Sequence, residues 1–536
     1  MRALAILTAV IGEACGNQFY ISPLGNDSNN GSSPESAWKT LSRVNKQRLE
    51  PGDTVHLDGG HEFEGNLVFD SSDSGHPSNP LTVTSYGQGR ATIRVAQGDG
   101  VFAENRSGIH LKNLTIRGPG RTDTDGGHGI HFVASSVNGE KYAGILFDNL
   151  DVSGFSKNGI FIKSNHASDP GFSDLSLSHC EIHDNGLNGV ETAGVFRRGS
   201  TPNFAHKNVT VRDCSFHHNT GTPGLPSHSG SGIVLAFVDG ALIEYCEAHH
   251  NGGLNNAPGG GPVGIWGWEV NNLVIQFCES HHNESQGGDG GGFDIDGGAT
   301  NCVMQYNYAH DNAGAGFGIF QFHDAHPFRN NVVRYNISQN DGQRRGGGIG
   351  FWANASNGGI NDTRIYNNTV YVGATQNGAG IDDTLDYEGQ THMRNVQVFN
   401  NILVTAPGKK AINIPIPGDA WTFRGNCYYT YGGPIQIAWG TDTFSSLDAW
   451  RTSTGHERDS GLELDPRLIQ PGVGPTIGDP RKLPTLTAYK LKSGSPVIGK
   501  GLDLKTLFGI DVGARDYYGG PIPAGNGFSI GAHESP

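Results

Sequence analysis

The sequence is poor in the features that mark several large protein classes. Lysine and arginine number 37 against 52 aspartate and glutamate residues, which gives a net charge of -15. No basic surplus is therefore present to neutralise nucleic-acid phosphates. Seven cysteines in 536 residues are too few for a disulfide scaffold. Beyond the first residues no apolar run is long enough to span a bilayer, so we expect no nucleic-acid partner and no membrane partner.

The first 15 residues have the three parts of a secretory signal. A charged start is followed by an apolar run from Ala3 to Ile11 and by small residues at positions 12 and 14. The alternative is a buried N-terminal strand, and a lipid anchor at Cys15 fits less well because polar and flexible residues precede it. We predict a signal peptide at residues 1–15 and a secreted, extracellular protein.

A repeat of about 32 residues runs through the centre of the chain. Four cysteines are spaced by 34, 32 and 32 residues, and each opens a similar phrase, CEIHDN, CSFHHN, CEAHHN or CESHHN. A period near 30 indicates stacked units, each of which places the same residue type above its neighbour. We therefore expect a column of buried thiols and amides, formed by Cys180, Cys214, Cys246, Cys278, Asn307, Asn336, Asn368, Asn401 and Asn426, and a second amide column of Asn185, Asn219, Asn251, Asn283 and Asn312.

A second strand follows each phrase and begins with glycine and an apolar residue. Nine such segments start at residues 129, 159, 189, 232, 264, 292, 316, 348 and 380, and the residue after the glycine is Ile, Val or Phe in all of them. A period of two places these side chains in the core and the alternate ones outside. The pattern predicts an all-β right-handed parallel β-helix of about ten coils.

The flanking segments are expected to close the two ends of this solenoid. Residues 16–100 contain a predicted short helix at 35–50, followed by the strand TVHL, and form an N-terminal cap with the first coils. Residues 101–440 hold the repeats. Residues 441–536, with a short helix at 446–452, are predicted to cover the other end, since exposed terminal coils need capping.

The opening FYISPLGNDSNNGSSPESAWKTL with PGDTVHL, the HDN-type coils and the closing SGSPVIGKGLDL with FSIGAHE resemble secreted right-handed β-helix proteins of the pectate-lyase-like superfamily. The resemblance covers nearly the whole chain after residue 15. It implies fold and export more strongly than reaction, because that superfamily includes glycoside hydrolases, polysaccharide lyases, epimerases and viral tailspikes. The activity must be argued from the side chains of the site.

The outward positions of the glycine-led strands predict an acidic, aromatic groove. The second and fourth positions of the central coils are Trp266, Trp268, Asp294, Asp296, Phe320 and Trp352. Aromatic faces stack on sugar rings, and carboxylates bind sugar hydroxyls. The alternative is that these aromatic residues are buried under a long loop such as GGLNNAPGGGPV, which would then form a wall of a cleft.

Asp294 and Asp296 are the candidate acid and base. They lie two residues apart on one strand face, so their Cβ atoms are roughly 7 Å apart, near the separation found in inverting glycosidases. Glu269, one coil earlier, is expected to assist them. Turn capping or a Ca²⁺ site formed by these three acids is the alternative.

Four further residues have weaker assignments. Glu191 and Asp382 are predicted to line flanking subsites about three coils from the aspartates. His310 belongs to a histidine column that is more simply structural, but it is kept as a possible proton carrier. Arg345 can reach the groove and bind a uronate carboxylate, or be a solvated loop residue.

The leading hypothesis is a monomeric glycoside hydrolase that acts on a polysaccharide or oligosaccharide and needs no cofactor. The second is a Ca²⁺-dependent polysaccharide lyase on a uronate polymer, for which the groove has few bases beyond Lys163. The third is a noncatalytic carbohydrate-binding solenoid, which has no need of paired carboxylates.

Overall fold

The computed structural model describes residues 16–199, 201–354, 358–384, 392–525 and 527–535. The predicted signal segment, including Cys15, lies outside these residues. The described chain is a solenoid whose strands pair from turn to turn in three columns, which we name the first, second and third sheets. Two long strands join the first and second into one 27-stranded sheet. The expected right-handed parallel β-helix is confirmed, but the prediction of about ten coils was too low, because the third sheet alone has 14 strands.

The first sheet carries the glycine-led strands. Two of its strands are long, Ile233–Glu244 with 12 residues and Val263–Gln276 with 14. Their first halves belong to the first sheet, and their second halves belong to the second sheet. The strands are Leu67–Phe69, Val101–Glu104, Ile130–Ala134, Ile160–Ser164, Val190–Ala193, Ile233–Glu244, Val263–Gln276, Gly291–Ile295, Phe317–Gln321, Ile349–Ala353, Ile381–Asp383, Ile412–Ile414, Ile437–Trp439 and the antiparallel Asp442–Phe444.

The second and third sheets complete each turn. The second sheet contains Gln18–Ile21, Thr54–Asp58, Leu81–Tyr86, Ile109–Lys112, Lys141–Asp148, Gly171–Ser178, His206–Arg212, Val303–Gln305, Phe328–Arg329, Val332–Arg334, Ile360–Tyr366, Met393–Phe399 and Trp421–Arg424. The third contains Glu62–Glu64, Ala91–Arg94, Leu114–Arg117, Asp151–Ser153, Glu181–His183, Ser215–His217, Glu247–His249, Glu279–His281, Tyr308–His310, Ile337–Gln339, Thr369–Val372, Ile402–Thr405, Cys427–Thr430 and Leu462–Glu463.

Helices are short and lie near the two ends of the chain. The N-terminal segment has a 3-10 turn at Pro34–Ser36 and an α-helix at Leu41–Val44, which is shorter than the helix predicted over 35–50. The C-terminal segment contains α-helices at Leu447–Thr454 and Leu504–Phe508 and 3-10 turns at Pro480–Thr485 and Thr487–Tyr489. None of the described helices has the length and apolar character needed to cross a bilayer.

The period-two pattern of the first sheet is confirmed. The residues after the nine leading glycines are all buried in one continuous core: Ile130, Ile160, Val190, Ile233, Ile265, Phe293, Phe317, Ile349 and Ile381. Their strands pair in parallel and in register, so the residues between them face outward in straight columns. The register on which the candidate groove depends is therefore present.

Both predicted buried columns are present as hydrogen-bonded ladders. In the second, Asn219 Nδ2 donates to Asn251 Oδ1 (3.1 Å) and Asn251 Nδ2 donates to Asn283 Oδ1 (3.0 Å). This ladder ends at the buried Asp341 carboxyl, and the thiol-amide ladder ends at that of Glu457. Burial raises the pKa of each of these terminal carboxyls to about 7. The described cysteines are free buried thiols.

The C-terminal segment does more than cover the last turn. Trp450, in the helix at Leu447–Thr454, packs on Phe423 and Trp439 at the end of the core. The following residues run back along the outside of the solenoid, where Arg481 forms a bidentate ion pair with Asp213 (2.6 and 2.8 Å). Residues 441–536 therefore contact the last turn and also the outside of earlier turns.

Candidate active site

Asp294 lies in an outward column of the first sheet, between a large side chain and a glycine. It pairs with Trp266 on one side and with Gly318 on the other, and the next two positions of the column are Gly350 and Asp382. Ala315 covers Gly350, whereas Gly318 lies directly beside the Asp294 carboxyl. Asp294 and Gly318 both line a cavity.

Asp296 faces the same cavity from the turn that follows the strand. Its backbone N–H donates to Gly267 O (2.9 Å), which continues the strand pairing, and its Oδ1 accepts the N–H of Gly297 (2.6 Å). The side-chain Oδ1 of Asp294, which is only 2% exposed, has no hydrogen-bond partner among the described residues. One carboxyl is thus held by the backbone, and the other has an oxygen free for a bound molecule.

The cavity has a volume of about 420 Å³. Its walls come from strands and from glycine-rich loops between them, and three aspartates contribute to the lining. The side chains and loop positions around it are Pro258, Gly259, Gly260, Val263, Gly288, Asp289, Gly291, Phe293, Asp294, Asp296, Ala315, Gly318, Phe320, Phe322, His323, Arg345, Gly346, Trp352 and Thr384. The size fits a small-molecule or sugar site.

The three aspartates hold protons more tightly than exposed aspartates do. Burial, followed by the charges of Asp296 and Asp289, raises the pKa of Asp294 well above its ordinary value. Burial also raises the pKa of Asp296, to about 7, despite the hydrogen bond from Gly297. The pKa of Asp289 is raised by the same cause. A protonated and an ionised carboxyl can therefore coexist near neutral pH, which is the arrangement that acid–base catalysis requires.

Phe320, Trp352 and Arg345 line the cavity. Phe320 and Trp352 pair directly across neighbouring strands and present a double aromatic surface beside the acids. Arg345 is exposed at the rim, where its Nη2 donates to Gly287 O (2.8 Å). Its charge partly offsets the rise in the pKa of Asp289.

Glu269, predicted to assist the two aspartates, does not line the cavity, although its charge is one of the causes that raise the pKa of Asp296. Its backbone has a positive φ of 49°, and its carboxylate lies beneath Gly298, fully buried. Both oxygens pair with His326, Oε1 accepting the backbone N–H (3.0 Å) and Oε2 meeting Nδ1 (2.5 Å). Glu269, Asp294 and Asp296 therefore do not form one Ca²⁺ ligand set.

Trp266 and Trp268 also lie outside the cavity lining. Trp266 is 4% exposed, its Nε1 donates to Ser231 Oγ (3.0 Å), and its ring meets His228 edge-on. Trp268 packs against Phe237 and Phe322. The loop GGLNNAPGGGPV forms a wall of the cavity through Pro258, as the alternative interpretation expected. Trp268 thus supports a lining residue, Phe322, without lining the cavity itself.

Three other predicted site residues, two of them assigned to flanking subsites, do not line the cavity. Glu191 accepts hydrogen bonds from Asn158 and Asn188, and Asp382 accepts one from Asn413 (2.7 Å); neither lines the cavity. His310 is on the third sheet, 1% exposed, between Glu279 (3.1 Å) and Asp311 (2.9 Å). Its assignment as a proton carrier for the aspartates was wrong, because a once-per-turn histidine column follows its own sheet.

Asp289, Phe322 and His323 line the cavity and were not predicted. Asp289 lies in a glycine-rich loop with a positive φ of 51°, and its Oδ2 accepts the N–H of Gly261 (2.7 Å). Phe322 and His323 follow the strand Phe317–Gln321. A single acid inside the run QGGDGGG was the available signal for Asp289, because such a run permits close loop approach.

Comparisons with known proteins agree with the fold. A family model described as "Right handed beta helix region" matches residues 136–333. A lacto-N-biosidase of Bifidobacterium longum subsp. longum is 34% identical over 89 residues, which is 16% of this chain and 6% of that protein. The chain thus matches only a small part of that relative.

Solved structures give the same picture. A GH136 lacto-N-biosidase from Eubacterium ramulus superposes with a TM-score of 0.52 at 18% identity, over 70% of this chain and 66% of that one, which is just under two thirds. The pectate lyase Pel9A superposes over 97% of this chain and 96% of its own, with a TM-score of 0.44 and 16% identity. The chain is a right-handed parallel β-helix protein, and the resemblance found in the sequence is confirmed at the level of fold.

Proposed function

We propose that this protein is a secreted glycoside hydrolase that cleaves a polysaccharide or oligosaccharide in the 420 Å³ cavity. The observation that carries the proposal is the pair Asp294 and Asp296, two carboxyls of raised pKa that line one cavity beside Phe320 and Trp352. Sugar rings stack on aromatic faces, and glycosidic bonds are cleaved by such carboxyl pairs.

The two carboxyls have different surroundings and hence different proposed roles. Asp294 is the more strongly buried and has an oxygen without a partner, so it is the proposed acid that protonates the leaving oxygen. Asp296 accepts the Gly297 amide, which favours its ionised form, so it is the proposed base that activates water. Two residues of extended chain span roughly 7 Å, near the carboxyl separation of inverting glycosidases, so we propose inversion at the anomeric carbon.

The names of two of the similar proteins support this reaction class. Both the curated relative and the structure with a TM-score above 0.5 are called lacto-N-biosidase. An oligosaccharide that contains lacto-N-biose is therefore the first substrate to assay. The matched share of the curated relative is small, so the assay panel also includes plant and algal polysaccharides.

The test compares Asp294→Asn and Asp296→Asn with Asp362→Asn, a matched control on the second sheet whose Oδ1 accepts Asn395 Nδ2 (2.8 Å). Release of reducing ends by either cavity variant should fall at least about 100-fold, while binding of the same glycan persists. Asp362→Asn should behave as the wild type. Full turnover by both cavity variants would contradict the proposal.

The lyase alternative has one observation in its favour, the presence of Arg345 and His323 at the rim of the cavity. The guanidinium of Arg345 suits a uronate carboxylate. A lyase produces the absorbance of an unsaturated uronate and loses activity with a chelator. Reducing ends without that absorbance identify the hydrolase, and binding without either product identifies a carbohydrate-binding protein.

A further inference from the structure

A second cluster of polar side chains lies near the N-terminal end of the first sheet. Asp99 precedes the strand Val101–Glu104, His128 precedes the strand Ile130–Ala134, and His131 lies within it. Val101 pairs with Ile130 across these strands, so the two turns bring the three side chains together. Each offers one potential ligand atom, and the three atoms lie within 4.8 Å of one another.

The carboxylate of Asp99 contacts both histidines. Its Oδ1 accepts the backbone N–H of His128 (2.8 Å), and its Oδ2 meets Nδ1 of His131 (2.7 Å). Nδ1 is therefore the His131 nitrogen that can share an ion with this carboxylate, because Nε2 lies on the other side of the ring. Phe161 stacks on both rings, at 4.7 Å from His128 and 5.4 Å from His131, and limits their rotation.

The ring of His128 makes one hydrogen bond with a neighbouring turn. Its Nδ1 accepts a hydrogen bond of 3.3 Å from the Asn158 amide, which is longer than a strong bond and so opposes ligation only weakly.

We propose that Asp99, His128 and His131 bind a Zn²⁺ ion. Two imidazoles and one carboxylate are a donor set that zinc uses in proteins, with three protein ligands and one open position. Ca²⁺ does not fit, because it takes six to eight oxygen ligands. Tetrahedral ligands at about 2.0–2.1 Å from zinc are about 3.4 Å apart, so the ligand atoms, now within 4.8 Å of one another, must approach by at most about 1.4 Å.

The fourth position of this zinc site faces solvent. Asp99 also lines an open depression with Phe102, Asn66 and Glu64, and the side chains of His131 and Asp99 are 19% and 23% exposed. A water molecule or an anionic group of a bound molecule can therefore reach the ion. The zinc site is separate from the proposed catalytic cavity. Five strand steps separate His131 from Asp294, which is roughly 24 Å at about 4.8 Å per step.

The experiment titrates Zn²⁺ into the chelator-treated full chain by calorimetry. We expect one tight equivalent, and its affinity should fall at least 100-fold in Asp99→Asn, His128→Gln and His131→Gln. The exposed His166→Gln and the surface-ladder variant His250→Gln are the controls, and both should keep the first equivalent. The proposal is overturned if the wild type binds no equivalent of Zn²⁺. It is also overturned if His250→Gln loses the equivalent while His131→Gln keeps it.

A measurement on the wild type guards against variants that do not fold. X-ray absorption of the protein loaded with one equivalent of Zn²⁺ should show two imidazole ligands and at least one oxygen, at about 2.0–2.2 Å. A shell with one imidazole, or with more than two, contradicts the assignment. Each variant's circular dichroism identifies those whose lost binding reflects lost folding.

Discussion

Gly318 lies so close to Asp294 that a Cβ at position 318 would be 2.9 Å from Asp294 Oδ1 and 2.9 Å from Phe320 Cε2. The carboxyl of the proposed acid therefore occupies space that any other residue at 318 would take. The position of the Asp294 carboxyl depends on the absence of a side chain at residue 318, in the next strand. This relationship connects the glycine-rich composition to the chemistry of the cavity.

Gly318→Ala should displace the Asp294 carboxyl and the Phe320 ring without breaking the strand. Because a misplacement of about 1 Å costs roughly 100-fold in rate, we expect kcat to fall by about that factor, with little change in melting temperature. Gly433→Ala is the control, since its Cβ would meet nothing closer than 3.9 Å. A Gly318→Ala variant as active as the wild type would show that Asp294 does not act from this position.

The pH dependence of kcat/KM should follow the two aspartates. Asp296 must be ionised to act as base, and its pKa is about 7, so activity should rise as the pH increases toward 7. Asp294 must stay protonated, so activity should fall again at higher pH. A bell-shaped profile measured on a soluble substrate checks this. A profile that is flat from pH 5 to 8 would contradict both roles.

Trp352→Ala should weaken substrate binding more than it slows the chemical step. The ring lines the cavity beside the acids, and loss of one stacking face costs on the order of 1 kcal/mol, or roughly a fivefold rise in KM. Steady-state kinetics separate KM from kcat. Trp268→Phe, outside the lining, is the comparison, and an equal effect of the two changes would count against a sugar-stacking role for Trp352.

Sequence periodicity predicted the solenoid, the core positions and both ladders because each depends on a residue type repeated in register. It also brought Asp294, Asp296, Phe320 and Trp352 to one wall. It failed for Trp266, because the loop that covers an outward position has no periodicity. It failed for Glu269 because the left-handed backbone conformation of that residue turns the side chain inward. It failed for His310 because each repeat includes strands of three sheets, and His310 lies on a different sheet from the aspartates.

The buried amide ladder should be costly to interrupt. Asn251 donates from Nδ2 to Phe216 O (2.9 Å) and to Asn283 Oδ1, and its Oδ1 accepts from Asn219. Asn251→Leu leaves these groups unpaired, so the free energy of unfolding should fall by roughly 3 kcal/mol or more. Urea unfolding measures it, with the exposed Asn138→Ala as control. A loss below about 1 kcal/mol would mean that water replaces the ladder.

The paired histidines of the third sheet should destabilise the fold in acid. Burial lowers the pKa of His249 to about 3 and that of His250 to about 4, whereas an unfolded histidine has a pKa of about 6.5. The unfolded chain then binds more protons between these values, so the contribution to stability is present above pH 6.5 and is lost as the pH falls.

The measurement compares melting temperatures at pH 7 and pH 5. The double variant His249→Gln with His250→Gln should lose less stability over this interval than the wild type, and His166→Gln should lose as much. Equal losses in all three proteins would show that burial does not hold the pair neutral.

The returning C-terminal segment changes how this solenoid can come apart. In a stack of repeats each unit contacts only its neighbours, so terminal units can peel away one after another. Here Arg481 forms an ion pair with Asp213, and the backbone N–H groups of Ile477 and Gly478 donate to the Glu279 carboxylate (2.7 Å each). Because the C-terminal segment contacts turns far from the end, opening the last turn also breaks contacts in the middle of the solenoid. The middle and the end of the molecule are therefore expected to unfold together.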